Sequence, residues 1–341
     1  HAERALTVAP NSVDAQIAKG NALAGLKDLD AAVAEIEGAI RESPNRGASY
    51  VNLAALELAR GNPGQAEAAF RKATDIDPTS VAARLALANF YWSAGRLPAA
   101  EGELKAALAV SPLDLLANRA LAVLLLATRR APDAEPYLKT VADVSTQSGD
   151  RFVLVDYYSS TGRSAEAKTL LQALAKTAEG FSGATIRLSV VAAREGDAAL
   201  ARILIREVLQ QQPRNVDALV ARANMFLGDK RYDQALASAE AAVQANARSA
   251  SAHYALATVQ SARQDWDGAI AAYGEALKLA PRLNAVRIEL ARLSLVTGKP
   301  DAAIQFAQDA LKAQPGLAEA TLIVGRAMLR KGDARSAEPL V

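Results

Sequence analysis

The 341-residue chain has no cysteine and only two histidines, His1 and His253. Without cysteine there can be no disulfide and no thiolate-bound metal. The same absence fits an oxidising compartment or a GC-rich bacterial source, so a periplasmic setting is favoured over a cytoplasmic one. Two distant histidines cannot furnish the nitrogen set of a metal centre, and no metal or cofactor is expected. No apolar run approaches the ~18 residues that a membrane-spanning helix needs; the longest, Leu121 to Ala127, suits a buried helix. This segment is therefore not expected to insert in a membrane, and it shows no signal-peptide or lipid-attachment pattern. Neither sign of charge dominates: 39 basic residues face 37 acidic ones, for a net charge of +2. Such a balance sets up no field for polyanions, and nucleic acid is not an expected partner because no basic stripe is present.

Catalytic material is equally scarce. Gly61-Asn62-Pro63-Gly64 is the sort of turn that could cradle phosphate, but it lacks the lysine-hydroxyl ending and flanking strand of a phosphate loop. Glu35 and Glu37, like Glu101 and Glu103, stand two apart on predicted helices, point to different faces and read as solvated surface. His253 reads as a packing or surface residue. No residue is assigned a catalytic role, and enzyme activity is not expected in this segment.

What the chain has is a period. Pro10, Pro44, Pro78 and Pro112 are each 34 residues apart, as are Pro281 and Pro315, and Pro213 precedes Pro281 by 68. Fixed self-similarity at this spacing is the mark of a repeat architecture. The blocks are 13–46, 47–80, 81–114, 115–147, 148–181, 182–215, 216–249, 250–283 and 284–317, with a partial block from 318. Each holds two apolar-periodic stretches of about a dozen residues joined by a short polar turn. In 47–80 the turn carries Gly61, suited to closing a helix, and Pro63, suited to opening the next. Asp77-Pro78 then stops the second helix. Nearly a quarter of the chain is alanine, which favours helix, and strand-period alternation is missing.

The eighth place of the blocks is small: Gly20, Ala54, Ala88, Ala122, Ala223, Ala257, Ala291 and Gly325. The twentieth is alanine from Ala32 to Ala337 without exception, and the twenty-seventh is alanine at Ala39, Ala73, Ala107, Ala242, Ala276 and Ala310. Small side chains at these places let paired helices approach closely. Larger places hold Leu53, Leu87, Leu121, Leu188, Leu256 and Leu290, with Phe70 and Tyr273 on second helices. This pattern resembles the tetratricopeptide repeat over essentially the whole chain. The resemblance implies an all-α, right-handed superhelical solenoid of 34-residue helix-turn-helix repeats, about nine full repeats with partial ones at both ends.

The resemblance also implies where a ligand sits. First helices line a concave face, with the second, fifth, sixth, ninth, twelfth and thirteenth places pointing inward. Those places give three kinds of candidate. Asn21, Asn52, Asn89 and Asn224 are amides able to bond a peptide backbone as donor and acceptor. Trp92, Phe152 and Tyr254 are aromatics of the type enriched at binding hot spots. The charged candidates are Arg119, Asp156, Arg187, Arg194, Arg292 and Arg326. With Arg330, the C-terminal arginines would favour an acidic stretch of ligand at low salt, since few acids occupy inward places there. Two family mechanisms do not carry over. The carboxylate clamp of chaperone-binding members has its amides in Asn21 and Asn52, but its cation places hold Ile17, Ala82 and Ala86. The inward asparagine ladder of glycosyltransferase-linked members is absent, because the sixth place reads Ala18, Asn52, Ala86, Ala120, Val153, Arg187 and Ala221.

The period falters between Pro112 and Pro213, so the chain divides into an N-terminal sub-array (1–147), irregular middle repeats (148–215) and a C-terminal sub-array (216–341). Polar, glycine-containing linkers at 145–149 and 179–183 suggest a hinge near 145–185. Residues 1–9 and 334–341 read as second helices cut from longer repeats, so the chain is expected to be a fragment, and its exposed terminal repeats could support a homo-oligomer. The leading functional expectation is a protein-protein interaction scaffold that takes a protein or peptide segment in the groove. In composition the chain is similar to alanine-rich bacterial arrays of exopolysaccharide export and envelope assembly. The competing expectation is a regulatory or substrate-recruiting module of a larger enzyme whose catalytic domain lies elsewhere.

Overall fold

The computed structural model describes residues 12–338. Among the described residues there are 20 α-helices and no strand. The second helix expected over residues 1–9 lies outside the described residues. At the other end only Ala334–Ala337 of the expected helix is described as α-helix.

The chain forms two compact units that divide between Arg163 and Ser164. In the first, Val13–Gly25 packs against Leu29–Glu42, Gly47–Ala59 against Pro63–Ile76, Val81–Ser93 against Leu97–Val110, and Leu115–Ala127 against Ala131–Val144, with Ser148–Ser160 as the last helix. In the second, Ser164–Leu174 packs against Phe181–Arg194. The later pairs are Phe181–Arg194 with Ala198–Gln211, Val216–Gly228 with Tyr232–Ala245, Ala250–Ala262 with Trp266–Leu279, and Asn284–Val296 with Pro300–Ala313. Ala318–Arg330 then meets the short Ala334–Ala337. Each second helix also packs on the next first helix, so within a unit every repeat is held by its neighbours, as in other repeat arrays.

Local chemistry sets the helix ends. The side chains of Ser12, Ser80, Asp114, Asn215 and Ser249 each accept from the backbone N–H three residues on, capping first helices; such a cap contributes about 1 kcal/mol. The turn between paired helices puts its fifteenth place in the left-handed region throughout. Gly61, Gly95, Gly162, Gly196, Gly298 and Gly332 adopt it, and so do Lys27, Arg129, Lys230 and Gln264. Reversal of the chain within four residues requires this conformation, whichever residue the repeat supplies.

The small places are the packing surface. Every alanine at the twentieth and twenty-seventh places is buried, most with no exposed area, as are those at the eighth. At Gly20 even a methyl group would lie 2.9 Å from Ile36 Cδ1. Apolar side chains fill the space that this close approach leaves. Ile36, Leu104, Leu121, Leu171 and Ile205 are among the largest fully buried residues.

The linkers that break the period are ordered by hydrogen bonds. After Ala131–Val144, the buried Ser145 donates its hydroxyl to the Asp150 carboxylate and accepts the Gln147 N–H at 3.1 Å. Arg119 donates through Nε to Asp150 Oδ1 at 3.0 Å, and Arg151 donates to the Ala142 carbonyl at 3.1 Å. In the second unit, Ser164–Leu174 has 11 residues where other second helices have 14. Its closing turn runs close under Gly180, where a Cβ would meet the Leu174 carbonyl oxygen at 2.7 Å.

Candidate functional site

The first helices carry an apolar stripe open to solvent. In the first unit Leu58, Leu116, Val123, Leu126 and Val153 are exposed, Val123 by 54%. In the second unit Val190, Val296 and Leu329 are exposed, Val296 by 57%. These residues stand at the second, sixth, ninth, twelfth and thirteenth places of their repeats. That spacing follows the three-and-four rhythm of one helical face. On the opposite side of the same helices Leu87, Leu121, Leu124 and Leu290 are buried in the helix pairs.

In the first unit, the amide candidates Asn21 and Asn89 are exposed and Asn52 is half-buried. None of the three side chains makes a hydrogen bond to a described residue. Trp92 is half-buried at the twelfth place, the same place as Leu58 and Leu126. Arg119 is committed elsewhere: it pairs with Asp150 and belongs to the linker network of the irregular repeat. Phe152 is half-buried and Asp156 exposed on Ser148–Ser160.

In the second unit, Arg187 is half-buried, and Arg194 and Asn224 are exposed. Tyr254 is half-buried and stands edge-on to the buried Tyr273, ring centroids 5.4 Å apart. It is as much a part of the core between those helices as of their surface. Burial pushes the Tyr254 phenol up, and it pushes that of Tyr273 up to about 12. Burial also raises the carboxyl of Glu289, although Arg292 beside it acts in the opposite direction.

Arg292 and Arg326 come together. They line a groove of about 810 Å³ between Asn284–Val296 and Ala318–Arg330, with Leu295, Leu322 and Leu329 as apolar lining. Arg292 is bound by two acids, Glu289 at 3.0 Å and Glu319. The expectation of few acids along the C-terminal face therefore fails here, because Glu289 and Glu319 reach Arg292 from its own helix and from the next. Arg326 makes no ion pair among the described residues and Arg330 donates to the Leu295 carbonyl. The cationic character of this groove rests on Arg326 and Arg330, since a carbonyl satisfies an N–H without cancelling the charge.

The acids expected to be solvated are largely paired. Glu35 accepts from Lys19 at 2.6 Å and Glu103 from Arg84 at 3.0 Å. Glu101 sits between Lys105 and Arg130, at 2.7 Å from each. Glu67 and Glu135 hold the same position in their repeats. Glu67 bridges Arg71 and Arg96, and Glu135 bridges Lys139 and Arg163. Each of the three acids thus ties its own second helix to the turn of the next repeat. The hydrogen bond from Arg163, reinforced by Lys139, holds the Glu135 carboxyl down at about 2. Sequence reasoning missed this arrangement, although its signal was present as an acid recurring at the twenty-first place.

No group of three or more His, Cys, Asp and Glu residues among the described residues could hold a metal ion. His253 Nε2 lies 3.0 Å from the Ala247 carbonyl oxygen, a local contact to its own helix start. No helix is long and apolar enough to cross a membrane among the described residues.

Comparisons with known proteins agree with the repeat pattern. Two family models described as Tetratricopeptide repeat match, one over residues 57–124 and the other over 1–47 and 254–318, together more than half of the chain. A third, of the ChAPs (Chs5p-Arf1p-binding proteins), matches residues 133–275. None of these is a family of exopolysaccharide export. No curated protein matches the sequence significantly. Among solved structures, the MamA protein is 22% identical with a TM-score of 0.42, covering 47% of this chain and 87% of its own. The TPR domain of P58(IPK) is 18% identical with a TM-score of 0.32, covering 95% of this chain and 99% of its own. Yeast Tom70 is 14% identical with a TM-score of 0.47, covering 95% and 96%. With two tetratricopeptide models matched, and paired helices meeting at buried alanines at the eighth, twentieth and twenty-seventh places, the chain is a tetratricopeptide-repeat protein.

Proposed function

We propose that this chain is a non-catalytic scaffold that holds a peptide or protein segment along the stripe of its first helices. The observation that carries the reading is the distribution of exposed large apolar residues on those helices. Leu58, Val123, Leu126 and Val153 in the first unit, and Val296 and Leu329 in the second, all fall on the same-facing places. Leu116, Val123, Leu126 and Val153 stand on the consecutive first helices Leu115–Ala127 and Ser148–Ser160 of the first unit, and exposed apolar residues grouped in this way mark interaction surfaces. Asn52 and Asn89 stand in the same stripe with unused amide groups, suited to the backbone of an extended segment. The matched ChAPs model belongs to proteins named for binding two other proteins, which accords with a scaffold.

Selection of binders from a random peptide library against the whole chain tests this reading. Selected peptides should lose at least about tenfold in affinity to Leu126→Glu and Val123→Glu, since burying an unpaired charge costs more than 1.4 kcal/mol. Melting behaviour should stay unchanged in Val123→Glu, because that side chain is more than half exposed. Peptides that bind both variants as well as the parent would refute the assignment of the stripe.

A further inference from the structure

The acid that ties successive repeats of the first unit together is replaced by its opposite in repeat 182–215. Glu67, Glu101 and Glu135 occupy the twenty-first place, and each accepts from an arginine at the sixteenth place of the next repeat, at 2.6–2.7 Å. In repeat 182–215 the twenty-first place is Arg202, while the sixteenth of the following repeat is still an arginine, Arg231. Two cations stand where those three repeats of the first unit have an acid and an arginine. Arg202 is neutralised by Asp229, whose two oxygens lie 2.8 and 2.9 Å from one nitrogen. Arg231 pairs with no acid among the described residues: it donates to the neutral Gln234 side chain, and its guanidinium carbon lies 4.7 Å over the Phe226 ring.

A second substitution adds to the charge. The seventh place, leucine in Leu53, Leu87, Leu121 and Leu256, is Arg222. Repeat 13–46 also has a cation there, Lys19, and it meets Glu35 across the helix pair at 2.6 Å. The residue equivalent to Glu35 is Ser238, and Arg222 Nε donates to its hydroxyl at 3.1 Å. That hydroxyl in turn donates to the Gln234 carbonyl, so Arg222 gains a hydrogen bond and no countercharge. Arg206, one turn beyond Arg202 and exposed, makes no ion pair with any described residue.

These four guanidinium groups ring a cavity of about 480 Å³ between Ala198–Gln211 and Val216–Gly228. Its floor is Leu209, Met225 and Phe226 over the buried Ile205. The first-helix residues involved stand at the seventh, tenth and eleventh places, off the exposed stripe. Three like charges without a countercharge around one apolar hollow destabilise each other, and an anion with an apolar group attached relieves both the repulsion and the exposed floor. Guanidinium forks match carboxylates in bidentate geometry, a thioether adapts to varied apolar shapes, and the cavity has room for one large side chain. A nucleic-acid strand is a poorer fit, because stacked bases need open aromatic faces and the Phe226 ring is already covered by Arg231.

We propose that this cavity is a second docking site, which takes an acidic peptide segment. A large apolar side chain of the segment seats on Leu209 and Met225, beside the ring that Arg231 covers, and its flanking carboxylates pair with Arg206, Arg222 and Arg231. Fluorescence polarisation on the whole chain tests this with a labelled Glu-Asp-Phe-Asp-Glu peptide. Controls are the uncharged Gln-Asn-Phe-Asn-Gln peptide and the Glu-Asp-Ala-Asp-Glu peptide. The acidic phenylalanine peptide should bind, weaken with added salt, and exceed both controls by at least about tenfold, as expected for charge-assisted hydrogen bonds. Arg206→Glu and Arg222→Leu should each lower its affinity by a similar factor. Arg222→Leu restores the residue of the other repeats, so its melting curve should match or exceed that of the parent. Leu126→Glu, on the stripe, should leave this binding unchanged. The proposal is overturned if the peptide does not bind, if the uncharged control binds equally, if Leu126→Glu abolishes binding while the two arginine variants do not, or if an oligothymidylate binds more tightly than the peptide.

Discussion

Replacing Gly298 by alanine isolates the physics of the turn. Gly298 sits at the fifteenth place with φ at +72°, and a Cβ there would meet nothing within 4 Å. Crowding is therefore absent and only the backbone conformation is at stake. An L-residue in the left-handed region costs roughly 1–2 kcal/mol. Alanine returns roughly 0.4–1 kcal/mol because the unfolded chain has less freedom to lose. The net loss should be about 1 kcal/mol. The same logic runs backwards at Gln264, which already adopts φ of 63°: Gln264→Gly should stabilise by about 0.5–1 kcal/mol. Stability in repeat arrays is local and shared mainly with nearest neighbours, so a global melt would dilute the effect. Amide hydrogen exchange read by mass spectrometry resolves it. Gly298→Ala should speed exchange roughly fivefold in Asn284–Val296 and Pro300–Ala313, and leave the first unit unchanged. Gln264→Gly should slow exchange in Ala250–Ala262 and Trp266–Leu279. Unchanged exchange in Gly298→Ala, or faster exchange in Gln264→Gly, would refute the claim that the left-handed requirement governs this place.

Two further outcomes follow from the ionic contacts. The Glu135 carboxyl is held below its ordinary 4.5, at about 2, so its pairing with Arg163 and Lys139 stabilises the fold above the unfolded pKa and is lost as pH falls from about 4.5 toward 2. The full shift corresponds to about 3 kcal/mol, and solvent screening at this surface site reduces it to about 1 kcal/mol; urea titrations of the parent and Glu135→Gln should differ at pH 7 and converge near pH 2. Asp150→Asn should destabilise by about 1–3 kcal/mol, because it leaves Arg119 without its anion and Ser145 with a poorer acceptor; faster exchange confined to residues 141–155 would show it, and unaltered protection there would rule it out.

Much of the architecture was legible because a repeat states its rule many times. Ala32, Ala66 and Ala100 recur at one place, and each proves to be buried without exposed area. The stripe was also within reach: three-and-four spacing puts Leu58, Val123 and Val296 on one helical face, and the tetratricopeptide resemblance implies that this face is the inward one. What could not be read was which inward residues are at liberty to bind. Tyr254 is drawn against Tyr273 from the second helix of its own repeat. Arg119 is taken by Asp150, and Arg292 by Glu319, partners 31 and 27 residues away in the chain. Identical side chains at identical places thus differ in availability because their neighbours differ.

The repeat, the helix pairs and the places where they touch were readable from the chain alone, because small residues recur where helices approach closely and the 34-residue period repeats them. The electrostatics came from how the helices stack. Stacking brings the twenty-first place of one repeat against the turn of the next, so Glu135 meets Arg163 while Arg202 turns to Asp229 and leaves Arg231 without an acid among the described residues. Charge pairing requires separations below about 4 Å between residues nearly a full repeat apart, and only the stacked helices fix those separations.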